Sequence, residues 1–536
     1  MVEHSSSEDA LTASTNNPQA ESEIAHYLDM RRQRRRIFPR AAVVGIAAGV
    51  VAVLFRTALV ATDDLRNSLI AWAQHMPTWG WLFPVVFSMA GASASVALVR
   101  RYAPETTGSG IPHVKAVLQR FRTLRWQRVL PVKFVGGVLA IGSGLALGRE
   151  GPTVQMGSAI ADAVAGWLGA SPRERLTLIA AGAGAGLAAA FNAPLSGLVF
   201  VLEEVQRDFR PVVFGAAFIA AALADVVTRF VAGSAPVFAV PSYPVPPLTA
   251  LPIFALLGLT AGVLGVAFNQ SLLAALNIFA RVPARWSLFV AATVGAGVGL
   301  VGWFAPDAIG GGHTLAETVL SGQMLLATIP LWFALRFVLT VSSYGTSAPG
   351  GIFAPLLVLG ALLGLAVGQL AHMLVPSAAP IPAAFAVVGM AAYFTAIVRA
   401  PLTGVVLILE MTGNYEQMLP LLVSCFCAYI AAELLKNLPI YEALLERDLI
   451  RQGLHLHNSE PVVVEMLIET GAPFAGREVR ALGLPPGCVL VRCISDGREW
   501  VPTASTRLAP HMRITAVIAP EAMSGLAQLR IGCRAE

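Results

Sequence analysis

Charged residues are scarce in this chain, since aspartate, glutamate, lysine and arginine make up 13% of its 536 residues. That is about half the share of an ordinary soluble protein. Cysteine is scarce too, because five residues are present and none forms a C-x-x-C pair or joins a histidine at metal-ligand spacing. These shortages argue against a disulfide scaffold or a zinc site, so we expect packing thiols, no metal and no cofactor.

Long apolar segments are abundant instead. Hydrophobic residues make up 56% of the chain, the mean hydropathy is +0.67, and apolar segments recur from residue 41 to 435. This composition predicts an all-α polytopic protein of the cell (inner) membrane, surrounded by lipids. Candidate spans lie near 41–62, 80–100, 130–147, 151–168, 175–203, 211–232, 250–280, 286–304, 325–342, 349–375, 382–397, 401–412 and 416–436. Several are too short for a bilayer of roughly 30 Å, which predicts broken or re-entrant helices around a buried pathway.

The positions of the basic segments predict how the chain is oriented in the membrane. The first forty residues are polar and then basic, with no apolar core of a signal peptide, so we expect residues 1–38 to form a disordered cytoplasmic tail. A second basic segment should also face the cytoplasm; it contains Lys115, Arg120, Arg122, Arg125 and Arg128. We expect a transmembrane domain over 39–450 and a small cytoplasmic domain over 451–536. The net charge of +5 does not require a nucleic acid partner.

Glu150 stands in the run Gly148-Arg149-Glu150-Gly151-Pro152, between two of the most apolar stretches of the chain. A carboxylate at membrane depth is costly to keep charged and marks a functional site. The glycines and the proline interrupt the hydrophobic run, which is tolerated only where the bared amides face protein, water or an ion. The pattern predicts an anion site that a titratable carboxylate can occupy.

The sequence contains an internal duplication. The segment 192–197 (NAPLSG) and the apolar run after it, to Glu203, recur 207 residues later as 399–404 (RAPLTG) through Glu410. GREGP at 148–152 aligns with GIFAP at 351–355, and GSG at 108–110 aligns with GGG at 310–312, at offsets of 203 and 202. We predict two homologous halves, about 80–230 and 250–436, with the site between them. The pattern leaves open whether the halves run parallel or inverted.

Three glycine motifs supply the parts of an anion site. A helix N-terminus carries unpaired amides and a partial positive charge, so several termini directed at one place bind an anion without a formal cation. The motif at 108–112 offers loop amides, the hydroxyl of Ser109 and a proline suited to a helix start. The motif at 351–355 offers further amides after the flexible break at 347–350.

These residues resemble the CLC family of chloride channels and proton-coupled chloride transporters. The match spans roughly residues 40–450 and rests on GSGIP at 108–112, GREGP at 148–152 and GIFAP at 351–355. The resemblance implies a homodimer with one pathway for chloride and protons in each subunit. It also implies two inverted repeats and many tilted helices that do not all cross the membrane.

The resemblance extends to single residues. In this family the serine of the first motif, a late tyrosine and the amides of the third motif coordinate the central chloride. With the neighbouring backbone and the arginine of the second motif, the expected chloride-binding residues are Ser109, Gly110, Arg149, Gly351, Ile352, Phe353 and Tyr441.

Two glutamates are expected to handle protons. Glu150 matches the family's external gate, which occupies an anion site when charged and swings away when protonated. A second, cytoplasm-facing glutamate maps to the later member of the pair Glu203-Glu204. The duplication favours Glu204, because Glu203 has a counterpart in Glu410, which indicates a shared role at a helix end. Glu204 is matched instead by Met411.

The expected function is secondary active exchange of chloride against protons, gated by Glu150. The alternative is a passive voltage- or pH-gated chloride channel, which would keep the anion motifs without needing Glu204. Lys133 matches a basic position that would raise the local positive potential, although a snorkelling role at the interface is also open. The sequence sets neither the stoichiometry nor the preference among chloride, nitrate and fluoride.

Catalytic motifs are missing. The chain has no H-E-x-x-H and no G-x-S-x-G, and no histidine stands near Glu150 in the sequence. The run at 297–302 fits G-x-G-x-x-G, but it lies in an apolar stretch of membrane length without a βαβ context. We therefore predict that the chain is not an enzyme.

The composition changes beyond residue 450. Strand-like runs at 462–464, 488–494 and 514–519, with Asp496-Gly497 as a hairpin turn, predict a small α/β domain. Residues 473–479 and 484–487 resemble the C-terminal subdomain of regulator-of-potassium-conductance modules. Such modules dimerise and can bind small regulators, although no residue here names a ligand and a plain structural tail is the alternative.

Overall fold

The structure is a computed structural model that describes residues 18–76, 78–238, 240–241, 243–377, 379, 381–451, 462–495, 498–519, 522 and 524–534. It divides into two compact units, one up to Leu445 and one from Glu446, and each is described by itself.

The first unit is built from helices joined by short turns. In chain order they are α1 (Pro18–Ala73), α2 (Leu82–Tyr102), α3 (Ile111–Leu118), α4 (Trp126–Gly142), α5 (Glu150–Trp167), α6 (Pro172–Phe191), α7 (Pro194–Phe200), α8 (Pro211–Ala232), α9 (Leu251–Arg281), α10 (Ser287–Phe304), α11 (His313–Leu320), α12 (Ile329–Gly345), α13 (Phe353–Leu374), α14 (Pro382–Val398), α15 (Pro401–Thr412), α16 (Met418–Leu434) and α17 (Ile440–Ile450). Short 3₁₀ turns lie at Pro104–Thr106, Leu248–Ala250, Ala284–Trp286, Pro306–Ala308, Leu326–Thr328 and Tyr415–Gln417.

Many of the apolar segments form long helices. Among the described residues, eight helical stretches are long and apolar enough to cross a membrane. They are Gln33–Ala73, Leu82–Tyr102, Pro211–Ala232, Leu248–Arg281, Ala284–Phe304, Leu326–Gly345, Phe353–Leu374 and Tyr415–Leu434. Other helices, such as α3 with eight residues and α15 with twelve, are too short to span a bilayer. The fold is therefore a multi-pass membrane protein with interrupted helices, as predicted.

One expectation about helix limits was wrong. The candidate span 175–203 is broken at Asn192, whose φ of +53° ends α6 in the left-handed region, and Pro194 then starts α7. Helix α1 begins at Pro18, within the segment 1–38 that is predicted to be a disordered tail. Residues 1–17 lie outside the described part of the chain.

The two halves are inverted relative to each other. Gly148 and Gly351 are equivalent in the duplication, and they exchange both main-chain hydrogen bonds in an antiparallel bridge with N···O distances of 2.7 Å. Two equivalent residues that bond to each other reciprocally lie across a local two-fold axis. Because the chains run antiparallel there, α5 and α13, which follow these glycines, start from opposite directions.

The contacts of Glu203 and Glu410 repeat across the same axis. Glu203 accepts hydrogen bonds from the main-chain N–H of Leu402 and from the N–H and Oγ1 of Thr403, at 2.7 to 3.0 Å. Glu410 does the same with Leu195 and Ser196, at 2.6 to 3.0 Å. Each carboxylate thus caps the helix that starts the matching segment of the other half. The predicted shared role of these two glutamates at a helix end is confirmed.

The C-terminal unit is a small α/β fold. Its strands are β1 (Val462–Leu467), β2 (Cys488–Ser495), β3 (Arg498–Trp500) and β4 (Arg513–Ile518), followed by α18 (Ser524–Cys533), with a 3₁₀ turn at Val479–Ala481. The sheet has the order β1-β4-β2-β3 and is antiparallel, so Val463 faces Val517 and Leu490 faces Ala516. A buried cluster that includes Leu490, Ile514 and Leu529 packs on one face. The strands agree with the prediction, while Asp496 and Gly497 of the expected turn lie outside the described residues.

Candidate functional site

The N-termini of α5 and α13 meet at Glu150. This residue begins α5 and is 2% exposed, so it does not face lipid. Its Oε2 accepts a hydrogen bond from the main-chain N–H of Ala354, with an N···O distance of 3.4 Å, in the first turn of α13. A carboxylate in that position stands where a free anion would bind, since the unpaired amides of a helix start favour negative charge.

Ser109 lies next to the same helix start. Its side chain is completely buried, and its Oγ accepts from the N–H of Ile111 at 3.3 Å. Gly151 approaches so closely that a Cβ there would lie 2.8 Å from the Cβ of Ser109, which explains why glycine follows Glu150. Gly110 caps α3 with a φ of +83°, a conformation that favours glycine. The first two glycine motifs are therefore in direct contact.

The third motif completes the arrangement through its backbone. Gly351 is bonded to Gly148, and a Cβ on it would lie 3.0 Å from the main-chain nitrogen of Gly151. Ile352 caps α13 and Phe353 is its first residue, and both are fully buried. The ring of Phe353 lies 4.4 Å from that of Phe394, so the helix start is fixed by aromatic packing.

Tyr441 brings an unsatisfied hydroxyl to the region. It lies near the start of α17, is completely buried, and interacts electrostatically with Tyr344, Glu150 and Glu204. Its Oη finds no hydrogen-bond partner among the described residues. A buried phenolic O–H without a protein partner is costly, and an anion would accept a hydrogen bond from it. This feature fits the predicted chloride ligand.

A cavity of about 600 Å³ leads to Glu150; we call it the Glu150 cavity. Arg149 lines it and donates from Nη2 to the carbonyl of Ala190 at 3.1 Å. Its wall also carries charges of both signs, from Arg56, Arg66, Asp63, Asp64 and Asp307. The arginine predicted for the anion site thus lines the same cavity as the carboxylate.

Glu204 lies in a different place and is held by a lysine. It is 1% exposed and belongs to a π turn, Val201–Val205, that follows α7. Its Oε1 accepts a hydrogen bond from the Nζ of Lys115 at 2.6 Å. Its second oxygen accepts no hydrogen bond from the described residues and lies 3.8 Å from Arg207.

A second cavity, of about 590 Å³, lies beside this cluster; we call it the Glu442 cavity. It is lined by Glu203, Arg207, Lys436 and Glu442, among others, but Glu204 and Lys115 do not line it. Met411, the counterpart of Glu204, lines the Glu150 cavity instead. Because the repeats are inverted, Glu204 and Met411 lie toward opposite sides of the first unit. A carboxylate is therefore present at this equivalent position on one side, and a methionine on the other.

Two lysines of this region are buried. Lys115 belongs to the basic segment that is predicted to face the cytoplasm, and its side chain is 2% exposed and paired with Glu204. Lys133 does not snorkel, because it is fully buried and donates to the carbonyls of Thr106 and Gly108 at 2.9 and 2.6 Å. In both lysines, the buried ammonium group donates to oxygen acceptors inside the protein.

Sequence reasoning missed two further residues. Arg336 binds the loop that precedes α11 and stands 203 positions after Lys133, so the offset of the duplication could have identified it. Tyr344 accepts through its hydroxyl from the N–H of Ser109 at 3.4 Å, and no sequence signal pointed to it. Within the described residues no group of three or more His, Cys, Asp or Glu could hold a metal ion.

A family model described as voltage gated chloride channel matches residues 90–433. The chain belongs to this family. A second model, the TrkA-C domain, matches residues 463–529 and confirms the resemblance of the C-terminal unit. The family consists of transport proteins, which confirms the prediction that the chain is not an enzyme.

Relatives in other organisms share most of the transmembrane unit. An H(+)/Cl(-) exchange transporter ClcA of Vibrio parahaemolyticus is 42% identical over 415 residues, which are 76% of this chain and 89% of that protein. The protein of the same name from Klebsiella pneumoniae is 40% identical over 421 residues, covering 77% of this chain and 89% of its own length.

Solved structures of the family have the same fold. A slow cyanobacterial Cl-/H+ antiporter superposes with a TM-score of 0.76 at 38% identity, covering 78% of this chain and 99% of the other. A eukaryotic CLC transporter gives a TM-score of 0.66 at 24% identity over 82% of this chain and 77% of the other, and at that identity it supports the fold alone.

Proposed function

We propose that this protein is a secondary active antiporter that exchanges chloride for protons, with Glu150 as the gate of the anion pathway. Exchange is favoured over a passive channel, because the relatives at about 40% identity carry the name H(+)/Cl(-) exchange transporter. The presence of a second buried glutamate, Glu204, agrees with this choice.

One observation carries the gating role: the carboxylate of Glu150 lies against the N-terminus of α13, bonded to the amide of Ala354. When protonated, this group would lose its attraction for the helix start and leave the place to an anion. Chloride would then be held mainly by backbone and hydroxyl donors beside the cation of Arg149, and weak neutral donors of this kind let it leave again. The proposed ligands are Ser109, Gly110, Arg149, Gly351, Ile352, Phe353 and Tyr441.

Glu204 is the proposed internal proton relay. It is buried and ion-paired with Lys115, whereas its counterpart Met411 cannot carry a proton. Protons would bind to Glu150 on one side of the protein and to Glu204 on the other. Between them, the proton route would share part of its length with the chloride pathway.

Resemblance to the family supports a proposal for the assembly and the location. We propose a homodimer in the inner membrane with one pathway per subunit, with both termini in the cytoplasm and with a division near 39–450 and 451–536. The C-terminal unit would be a cytoplasmic regulatory domain for a small molecule whose identity no residue specifies. The arginines at 31–36 support a cytoplasmic N-terminus through the positive-inside rule.

The test measures both ions at once. Purified protein in liposomes loaded with chloride is diluted into low-chloride buffer, and external chloride and pH are recorded with electrodes. We expect chloride efflux to drive proton uptake and to acidify the vesicle interior. If chloride leaves and pH stays constant, the protein is a channel.

Glu150→Ala tests the gate in the same assay. This variant should conduct chloride without moving protons, because the competing carboxylate is gone. Glu416→Ala, which removes an exposed carboxylate from a short 3₁₀ turn, is the matched control and should keep coupled transport. Proton pumping by Glu150→Ala at the wild-type ratio would remove Glu150 from the mechanism.

A further inference from the structure

Four charged side chains form a cluster that extends from the Glu442 cavity to buried Glu204. They are Lys115, Glu204, Arg207 and Glu442. Lys115 is the central member: its Nζ lies 2.6 Å from Oε1 of Glu204 and 3.8 Å from Oε1 of Glu442. Arg207 pairs with Glu442 and lies 3.8 Å from Oε2 of Glu204. With all four groups ionised the cluster is neutral, and the two buried charges, on Lys115 and Glu204, are paired with each other.

The members differ in access to water. Glu442 is about one-third exposed and lines the cavity, whereas Lys115 and Glu204 are 2% and 1% exposed. Water in the cavity therefore reaches Glu442 first. Lys115 stands between the exposed carboxylate and the buried one, so a proton on this route must pass its amine.

The two cations beside Glu204 differ in chemistry. The guanidinium of Arg207 keeps its proton under all ordinary conditions, so it can orient a carboxylate but cannot pass a proton on. A buried lysine amine can lose and regain a proton. Of these two cations, Lys115 is thus the one that could act as both donor and acceptor of a proton.

We propose that Lys115 carries protons between Glu442 and Glu204, a role that rests on the proposed exchange function. The Lys115 ammonium gives one N–H proton to Oε1 of Glu204, which leaves a neutral amine and a carboxylic acid. Glu442, protonated by cavity water, then gives its proton to the lone pair of that amine and returns to a carboxylate. The net change is one proton moved from water to Glu204, and the reverse order moves a proton out.

Contact between Lys115 and Glu442 must tighten for the second transfer. Their 3.8 Å separation exceeds a hydrogen bond, and either a rotation of the partly exposed Glu442 side chain or one bridging water would close it. Glu442 follows Tyr441 directly in α17. A proton held at Glu204 leaves the cluster with one net positive charge beside the proposed anion site, which links proton loading to chloride binding.

Lys115→Arg separates charge from proton transfer. The variant keeps a cation beside Glu204 but cannot release a proton, so proton flux in the liposome assay should fall at least about tenfold while chloride still crosses. Lys436→Arg is the matched control, because Lys436 lines the same cavity, which Glu204 does not line. It should keep the wild-type ratio of protons to chloride.

A second variant covers the case in which Lys115→Arg does not fold. Glu442→Gln keeps the side-chain shape but cannot carry a proton, and it should also lower proton flux relative to chloride flux. Wild-type coupling in either folded variant would overturn the relay. Absence of coupling in the wild-type protein would instead overturn the proposed antiport itself, so the two failures are distinguishable.

Discussion

Lys133 and Arg336 are equivalent cations of the two inverted repeats, and each is fully buried against main-chain carbonyls. Lys133 binds the carbonyls of Thr106 and Gly108 ahead of α3. Arg336 binds those of Ala308, Gly310 and Gly311 ahead of α11, at 2.8 to 3.3 Å. Each cation binds the glycine loop that leads into a short helix. The loop that contains Ser109 is therefore held in place by Lys133.

Lys133→Met should destabilise the protein. The substitution leaves the buried carbonyl of Thr106 without a donor, at a cost of about 1–3 kcal/mol, while the carbonyl of Gly108 keeps its bond from the N–H of Gly350. We expect a lower midpoint in SDS-induced unfolding of the detergent-solubilised protein, and the same direction for Arg336→Met. Lys436→Met, at an exposed position, is the control. An unchanged midpoint for Lys133→Met would show that water replaces the ammonium.

Gly157→Ala should force α5 and α6 apart. A Cβ at Gly157 would overlap the carbonyl oxygen of Gly182, and the equivalent pair Gly360 and Gly389 has the same close contact between α13 and α14. Overpacking of this kind costs roughly 1–3 kcal/mol or more. Gly297→Ala is the matched control, since nothing lies within 4 Å of a Cβ there. It should be neutral or stabilising by up to about 1 kcal/mol, and equal midpoints for both variants would refute the close packing.

Glu204→Gln should uncouple the two ions. The amide keeps the shape of the side chain and can still contact Lys115, but it cannot bind a proton. Chloride should therefore cross while proton movement drops to the background of empty vesicles. Glu203→Gln is the informative comparison, because Glu203 caps α15 and should affect stability rather than coupling. Undiminished proton pumping by Glu204→Gln would assign the relay to another group.

Cys533 should react slowly with alkylating reagents. Burial raises the pKa of its thiol to about 11, from an ordinary value of 9.0. Because only the thiolate reacts, labelling by iodoacetamide at pH 8 should be roughly 100-fold slower than for a free cysteine. The rate should rise about tenfold per pH unit until the pH approaches the pKa. Peptide mass spectrometry measures it, and rapid labelling of the folded protein at pH 8 would contradict the burial.

The motifs of the site were readable because their residues are local. Glu150 and its glycines form one short run, and Ser109 belongs to another, so residue type and spacing indicated an anion site. The pairing of Glu204 with Lys115 could not be read, because the two residues stand 89 positions apart. Nothing in the run around Lys115 distinguishes a buried lysine from one that faces water.

Sequence by itself determined the class of this protein, its duplication and the kinds of groups at its site. Apolar runs must leave water, and glycine or proline inside them must bare backbone amides, so these features depend on composition and order alone. The tertiary structure decided that the halves are inverted, through the bonds between Gly148 and Gly351. It also decided which charges meet, because ion pairing depends on distance in space, and only the packed helices bring residues remote in sequence within a few ångströms.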